Sequence, residues 1–135
     1  MNANPSKGLN IGLWVAQVLL TVAFGMAGAM KATTPLDELA KSLPWVTDVP
    51  GGLVRFIGIA EFAAAVGMIL PSALRIKPIL TPLAGAGLVV IMCLAAPFHL
   101  SRGEAAVTPV NLILGALAAF VAWGRYSRAP IAPRS

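Results

Sequence analysis

Four long apolar stretches constrain the fold of this chain more than any other feature. They cover residues 9–30, 56–74, 79–98 and 110–123. A helix of about 20 apolar residues crosses the roughly 30 Å hydrocarbon core of a bilayer. With 58% hydrophobic and 11% charged residues, the chain of 135 residues lacks the polar surface that a soluble domain needs. The stretches do not alternate in polarity as the strands of a membrane barrel do.

We therefore predict an all-α integral membrane protein, an antiparallel bundle of four transmembrane helices in one domain. The expected boundaries are 9–31, 54–71, 78–98 and 109–126 for the spans, 9–126 for the domain, and 1–8 and 127–135 for the tails. Pro71 is expected to end the second span, because a proline interrupts helical hydrogen bonding. The C-terminal tail is basic and rich in proline, so we expect it to be disordered.

The longest loop, residues 32–53, contains a further helical signal. Thr34 and Pro35 fit the N-cap and first position of a helix and predict a short helix over about 35–43. Its apolar face would be formed by Leu36, Leu39, Ala40 and Leu43. Such a helix is expected to lie in the membrane interface, with Trp45 as an interfacial anchor. It would serve either as an anchored loop or as a lid over a pocket.

The basic residues are distributed unequally between the two ends of the predicted bundle. Six bases and no acidic residue fall on the side of the termini and the second loop, namely Lys7, Arg75, Lys77, Arg125, Arg128 and Arg134. Loops rich in Lys and Arg remain on the cytoplasmic side. We predict a multi-pass membrane protein that contacts membrane lipids and has both termini on the cytoplasmic side. The net charge of +5 therefore reflects topology and does not indicate a nucleic-acid partner.

A single carboxylate, Glu61, interrupts the second apolar stretch. A charge inside a membrane helix costs about 2.5–3.5 kcal/mol on insertion scales, so it usually faces the bundle interior and has a partner. The antiparallel arrangement brings polar residues of every span to roughly the same outer level. These candidate ligand-binding residues are Lys31, Arg55, Glu61, His99 and Asn111. The inner half is expected to hold no ionisable residue within a span.

Three interpretations of this polar cluster stay open. In the first it is structural: Glu61 pairs with Lys31 or Arg55, and Asn111 satisfies a backbone carbonyl that a proline frees. In the second it binds the head group of an amphipathic ligand, a quinone or a lipid, whose tail contacts the apolar walls. In the third, Glu61 and His99 relay protons in catalysis. We expect a protein that is not an enzyme on its own.

The sequence gives little support for a metal or a prosthetic group. One histidine with one or two carboxylates does not make a closed zinc site. A glycine-rich nucleotide loop after a strand is missing, and a haem ligand would lie within a span rather than at its edge. The single cysteine, Cys93, cannot form an intrachain disulfide and is expected to be a small apolar residue of the core.

Small residues recur along the spans and predict close helix packing. Gly25 and Gly28 lie near the outer end of the first span, and Gly58 lies in the second. Gln17 of the first span is expected to form an interhelical hydrogen bond. A homodimer through a face of glycine and alanine residues would use the same property.

Five segments and one residue together resemble the bacterial DoxX-like family. The segments read FGMAGAMK, SLPW, LVRFIGIAE, LTP and FHLSRGE, at residues 24–31, 42–45, 53–61, 80–82 and 98–104, and Asn111 follows them. The resemblance extends from about residue 13 to residue 123, and it implies a four-helix protein of the cytoplasmic membrane. The family takes its name from a subunit of an archaeal thiosulfate:quinone oxidoreductase, which favours an accessory protein linked to quinone redox. A distant relative is an assembly chaperone for neuronal acetylcholine receptors, which favours an assembly factor or structural partner of membrane proteins.

Overall fold

The computed structural model describes residues 6–134, which form a four-helix bundle of the predicted all-α class. The helices are α1 (Lys7–Thr33), α2 (Leu36–Ser42), α3 (Gly51–Leu74), α4 (Leu80–Ser101) and α5 (Thr108–Trp123). A 3₁₀ turn (Pro44–Asp48) follows α2, and a π-helical turn (Gly124–Arg128) continues α5. The long helices α1, α3, α4 and α5 are each long and apolar enough to cross a membrane, α5 together with its π turn. Residues 1–5 of the predicted tail 1–8 lie outside the described range, and Lys7 already belongs to α1.

Each long helix packs antiparallel against its neighbours in the cyclic order α1, α3, α4, α5. The contacts that fix the register pair Gly28 with Phe62, Gly67 with Ala84, Gly115 with Met92, and Gly12 with Phe120. One end of the bundle therefore carries the start of α1, the α3–α4 loop and the segment after α5; we call it the terminal end. The opposite end carries α2, the 3₁₀ turn and the α4–α5 loop; we call it the loop end.

Large apolar side chains cover the outside of the bundle and also fill its core. The core cluster includes Leu13, Leu20, Phe24, Met68 and Leu88, all almost fully buried. The outer surface includes Met26, Phe56 and Leu94, whose exposed fractions exceed 60%. Soluble proteins rarely expose a continuous apolar surface of this kind. The arrangement is that of a multi-pass membrane protein, which the four apolar helices also indicate.

Cys93 belongs to the outer surface, so the expectation that it lies in the core is wrong. Its neighbour Met92 fills the core instead. Adjacent residues of a helix point about 100° apart, so one residue of register decides between the interior and the lipid side.

Pro71 lies inside α3, so the prediction that it ends the second span is wrong. A proline cannot donate to the carbonyl four residues earlier, here that of Gly67. The Thr81 hydroxyl of α4 donates to this carbonyl at 2.9 Å and lies 2.7 Å from Ser72 Oγ. Because Thr81 replaces the missing bond, α3 continues past the proline. It ends where Arg75 adopts a left-handed conformation with φ of 57°.

The short helix α2 forms in the predicted segment, but Thr34 does not cap it. α2 begins at Leu36 after Pro35, and no side chain caps its start. Thr34 instead ends α1, because its backbone N–H donates to the Met30 carbonyl at 2.9 Å. Only Thr34 and Pro35 separate α1 from α2, and Thr34 is the C-cap of α1.

The 3₁₀ turn after α2 packs into the protein rather than against lipid. Trp45 is 8% exposed and lies edge-on to the Phe98 ring of α4, with ring centroids 5.9 Å apart. Leu39 of α2 and Val54 of α3 belong to the same buried cluster. The prediction that Trp45 is an interfacial anchor is therefore wrong; it fastens the segment after α2 to the loop end of the bundle.

The segment after α5 contacts the α3–α4 loop, so the expectation of disorder is wrong for residues 129–134. Arg75 Nε donates to the Ala132 carbonyl at 2.8 Å, and the Arg134 N–H donates to the Arg75 carbonyl at 2.8 Å. Ala129 is 1% exposed. These contacts close the terminal end of the bundle.

Close packing of α1 against α3 yields a test of the fold. A Cβ atom added to Gly58 would lie 2.6 Å from the Ala32 nitrogen, whereas nothing lies within 4 Å of one added to Gly87. We expect Gly58→Ala to lower stability by about 1–3 kcal/mol, as overpacking does, and Gly87→Ala to leave it unchanged or slightly raised. Thermal unfolding in detergent measures both variants. Equal melting temperatures would contradict the close contact.

Candidate functional site

A buried ion pair joins α1 and α3 at the loop end. Glu61 is 2% exposed, and its Oε1 accepts a hydrogen bond from Lys31 Nζ at 2.8 Å. The glycines of the α1–α3 contact, Gly28 and Gly58, bring the two backbones close together at this level. The Lys31 side chain keeps 14% exposure. Of the two partners that the sequence left open for Glu61, the structure selects Lys31.

Arg55 caps the end of α1 and does not pair with Glu61. Its Nη1 donates to the carbonyls of Lys31 at 3.0 Å and Thr34 at 2.6 Å. The last carbonyls of a helix have no intrahelical partner, and the helix dipole favours a cation beside them. Arg55 and Glu61 are six residues apart on α3, which places them about 120° apart around its axis. The two side chains therefore serve different neighbours.

His99 belongs to a separate cluster at the end of α4. Its Nδ1 lies 2.7 Å from Oε1 of Glu104, which also accepts a hydrogen bond from Arg102 Nε at 3.2 Å. Arg102 forms a second ion pair with Asp48 of the 3₁₀ turn. The Trp45 ring lies edge-on to the His99 ring, with centroids 6.3 Å apart. The cluster ties the end of α4 to the segment that follows α2.

The charges of this cluster stabilise one another. The hydrogen bond with His99, and then the one from Arg102, lower the pKa of Glu104 below its ordinary value. Hydrogen bonds to Asp48 and then Glu104 raise the pKa of Arg102. A carboxyl whose pKa is lowered by folding stabilises the fold above its ordinary pKa, and that contribution is lost as the pH falls through the lowered value. The cluster therefore holds the loop end together at neutral pH.

Asn111 lies in the first turn of α5, where it is 7% exposed. Its Nδ2 is buried without a hydrogen-bond partner among residues 6–134, and the same holds for Oγ1 of Thr108. The interpretation that Asn111 satisfies a carbonyl freed by Pro97, that of Cys93, is therefore wrong. A buried polar group without a partner costs about 1–3 kcal/mol. Such a group in a native protein marks a candidate site.

A second polar layer, which the sequence pattern did not predict, crosses the terminal end. Arg125 is 3% exposed, and it donates from Nε to Gln17 Oε1 at 2.7 Å and from Nη1 to Asn10 Oδ1 at 2.8 Å. Gln17 Nε2 donates to the Met68 carbonyl at 2.8 Å, which confirms the interhelical bond expected of it. The expectation of no ionisable residue within a span in this half is wrong, because Arg125 lies in the fourth span and is buried in the bundle. From sequence, Arg125 resembled one more loop charge.

Two grooves of the described chain lie away from the predicted cluster. One of about 560 Å³ runs along the outside of α3 and α4 between Ala63 and Leu83, and another of about 480 Å³ lies beside Arg125. No hydrogen bond joins His99 to Glu61 within residues 6–134, as a direct proton relay would require. No group of three or more His, Cys, Asp or Glu side chains in that range has an arrangement that could hold a metal ion. The structure thus divides the five predicted site residues among separate contacts.

The comparison with known families agrees with this architecture. A model of the DoxX-like family matches residues 15–121, a range that includes most of each span. The chain belongs to the DoxX-like family. The segments that carry the resemblance lie within the match, so the family assignment made from them is confirmed. This DoxX-like protein matches no curated protein and no solved structure. The family shows a small integral membrane protein, and its activity has to be argued from the site.

The buried ion pair predicts a difference between two glutamates of this DoxX-like protein. Glu61→Gln leaves Lys31 unpaired, and we expect a loss of up to about 3 kcal/mol, the lower end of the range for buried pairs, because Lys31 keeps some exposure. Glu38→Gln breaks an exposed pair with Lys41 and should cost less than about 1 kcal/mol. Equilibrium unfolding in mixed micelles measures both. A Glu61→Gln variant as stable as Glu38→Gln would exclude a structural role for the pair.

Proposed function

We propose that this DoxX-like protein is a small membrane accessory protein that binds an amphipathic ligand, a quinone or a lipid, at the loop end of the bundle. The observation that carries the proposal is the presence of two buried polar groups without partners, at Asn111 and Thr108. The asparagine Nδ2 is a donor only. The complementary group on the ligand is therefore an acceptor oxygen, such as a quinone carbonyl or an ester carbonyl.

The other four predicted site residues support the ligand site without direct contact in this proposal. Lys31 and Glu61 fix α1 against α3, Arg55 fixes the end of α1, and His99 fixes the end of α4. Because each has a partner in the chain, we assign them the positioning of the helices around Asn111. Rigid support of this kind keeps a binding group in place.

The segment of α2 and the 3₁₀ turn supplies the cover of this end. Its buried residues Leu39 and Trp45 pack with Val54 of α3 and Phe98 of α4. A hydrophobic tail would extend from the site along the apolar helix surfaces. If the ligand is a quinone, the protein participates in membrane redox as a quinone-binding accessory, with the electron transfer carried out by another protein.

The proposal predicts opposite effects of Asn111→Leu on stability and on ligand retention. Removing an unpartnered buried donor should raise the stability of the ligand-free protein by about 1 kcal/mol. The same change should reduce the quinone or lipid that copurifies in mild detergent, measured by solvent extraction and mass spectrometry. Ala116→Leu is the matched control, because Ala116 is exposed on the same helix. This variant should retain the ligand.

Three results would overturn this assignment. In one, Asn111→Leu lowers stability and leaves the copurifying molecules unchanged, which makes Asn111 a structural residue. In another, neither wild-type protein nor variant binds added decylubiquinone or retains a lipid at a fixed ratio. Retention lost equally in Asn111→Leu and Ala116→Leu would show that bundle packing, and not the donor, determines binding.

The second candidate function is an assembly factor or structural partner for other membrane proteins. It is favoured by the apolar groove on the outside of α3 and α4, where Ala63, Gly67 and Ala84 leave little side-chain bulk. Small residues allow a neighbouring transmembrane helix to approach closely. A copurifying membrane protein that Ala63→Leu releases, and that Asn111→Leu does not, would favour this function over ligand binding, because Ala63 is exposed in the groove. A second copy of the chain would appear in the same experiment as a homodimer.

We propose that the terminal end faces the cytoplasm across a bacterial cytoplasmic membrane. The start of α1 and residues 129–134 lie at this end of the bundle together with the loop of Arg75 and Lys77. The terminal and second-loop segments of the sequence carry six bases and no acidic residue. A reporter enzyme that is active only in the cytoplasm should function when fused after Ser135. A reporter that requires export should stay inactive at the same position. Activity of the exported reporter would reverse the orientation.

A further inference from the structure

Arg125 is a buried guanidinium whose hydrogen-bond partners are all uncharged. It donates to side-chain amides of Gln17 and Asn10 and to the carbonyl of Ala129. Its guanidinium lies 5.2 Å from the centre of the Trp14 ring. The remaining nitrogen, Nη2, is buried and has no acceptor in the described part of the chain. A guanidinium carries five N–H donors and a permanent charge, so the protein leaves both donation and charge incompletely matched here.

The sequence offers this arginine no acidic side chain. The five carboxylates of the chain are Asp37, Glu38, Asp48, Glu61 and Glu104. All of them lie in the half of the bundle near the loop end, on α2, the 3₁₀ turn, α3 or the α4–α5 loop. Around Arg125, the charged neighbours at the terminal end are basic, including Lys77 and Arg128. A buried charge is normally paired, and residues 6–134 place no carboxylate at this end of the bundle, so an anion from solution or from a lipid would supply the missing counter-charge.

A groove of about 480 Å³ lies directly beside this arginine. Its polar lining consists of Lys77, Arg125 and Tyr126, and Pro78, Ile79 and Ile131 contribute apolar surface. Lys77 and Tyr126 are exposed at this groove, whereas Arg125 is buried beside it. A basic floor and rim with apolar walls match a molecule that has an anionic head and a hydrocarbon tail.

The backbone around the groove is held in an uncommon conformation. Lys77 has φ of 46°, in the left-handed region that residues other than glycine rarely adopt. The loop keeps this conformation while Arg75 binds the carbonyls of Ala132 and Pro133. Strain of this kind persists where surrounding contacts impose it and is concentrated at functional sites. Here it positions Lys77 on the rim of the groove.

We propose that this groove binds a phosphate group, with Arg125 as its buried donor and Lys77 as a second cation at the rim. The phosphate comes from the head group of an anionic phospholipid or from free phosphate in solution. Arginine suits this role because its planar N–H groups match phosphate oxygens. The site lies at the opposite end of the bundle from Asn111, so this proposal does not depend on the proposed function.

Native mass spectrometry of the detergent-solubilised protein tests the site. Phosphatidylglycerol should bind as a single molecule, more tightly than phosphatidylcholine, whose choline group cancels the phosphate charge. Lys77→Gln should weaken phosphatidylglycerol binding by about fivefold, the effect expected of one basic residue near an anionic head group. Lys7→Gln is the matched control, because it removes one base from the same end outside the groove. It should change binding less than twofold.

Arg125→Lys tests whether phosphatidylglycerol binding requires the planar N–H donors of the guanidinium or only its positive charge. It keeps the positive charge and should weaken phosphatidylglycerol binding by tenfold or more, because lysine cannot reproduce the planar donor geometry. If this variant does not fold, Tyr126→Phe together with Lys77→Gln tests the same groove from its exposed rim. Equal affinity of Lys77→Gln and Lys7→Gln for phosphatidylglycerol would overturn the proposal.

Inorganic phosphate separates the two sources of the bound group. If the lipid is the ligand, millimolar phosphate neither displaces phosphatidylglycerol nor raises the melting temperature of delipidated protein. If free phosphate is the ligand, it raises the melting temperature of the wild-type protein but not of Lys77→Gln, and it displaces the lipid. Phosphatidylcholine binding as tightly as phosphatidylglycerol, with no response to phosphate, would leave no anion site and contradict the inference.

Discussion

The absence of water from the hydrocarbon region imposes the rule on which the rest of this structure depends: a polar group inside the bundle must find its partner in the protein or in a bound molecule. The bundle meets this rule with contacts between helices rather than within them. The Thr81 hydroxyl of α4 takes the place of the bond that Pro71 removes from α3. Arg55 of α3 caps the end of α1 by donating hydrogen bonds to the carbonyls of Lys31 and Thr34. Each of these contacts also fixes the position of one span relative to another.

Close helix packing and polar pairing depend on each other in the α1–α3 contact. The Lys31–Glu61 hydrogen bond is 2.8 Å long at a level where Gly28 and Gly58 leave no room for side-chain atoms between the backbones. Larger residues would separate the helices and lengthen the distance between Lys31 and Glu61. The Coulomb energy of the pair would then fall in inverse proportion to that distance, and the pair would be exposed to lipid. The ion pair in turn holds the close contact in one register. Sequence inspection detects both features separately, but only the structure joins them.

The parts of this protein that follow from composition were predictable, and those that follow from tertiary partners were not. The length and apolarity of the stretches predicted four spans. The free-energy cost of a lone carboxylate in a membrane helix predicted that Glu61 is buried and paired. Local helix signals failed where another element used the same residue: Thr34 ends α1 instead of starting α2. The predicted environments of Trp45 and Cys93 were wrong, because apolar residues cover both the lipid-facing and the protein-facing sides of these helices. The sequence alone therefore does not distinguish a residue that faces lipid from one that faces protein. The partners of His99 lie in a loop whose path the sequence does not determine.

The charged side chains at the two ends of the bundle have different kinds of partner. At the loop end, the acids and bases of the chain neutralise one another, as in the pairs of Lys31 with Glu61 and of Arg102 with Asp48 and Glu104. At the terminal end, the buried Arg125 is held by amides and a carbonyl, which orient a guanidinium but do not cancel its charge. Amides that only orient the cation leave its field available to an incoming anion. From this difference we propose an uncharged acceptor as the ligand of the loop end and an anion as the ligand of the terminal end.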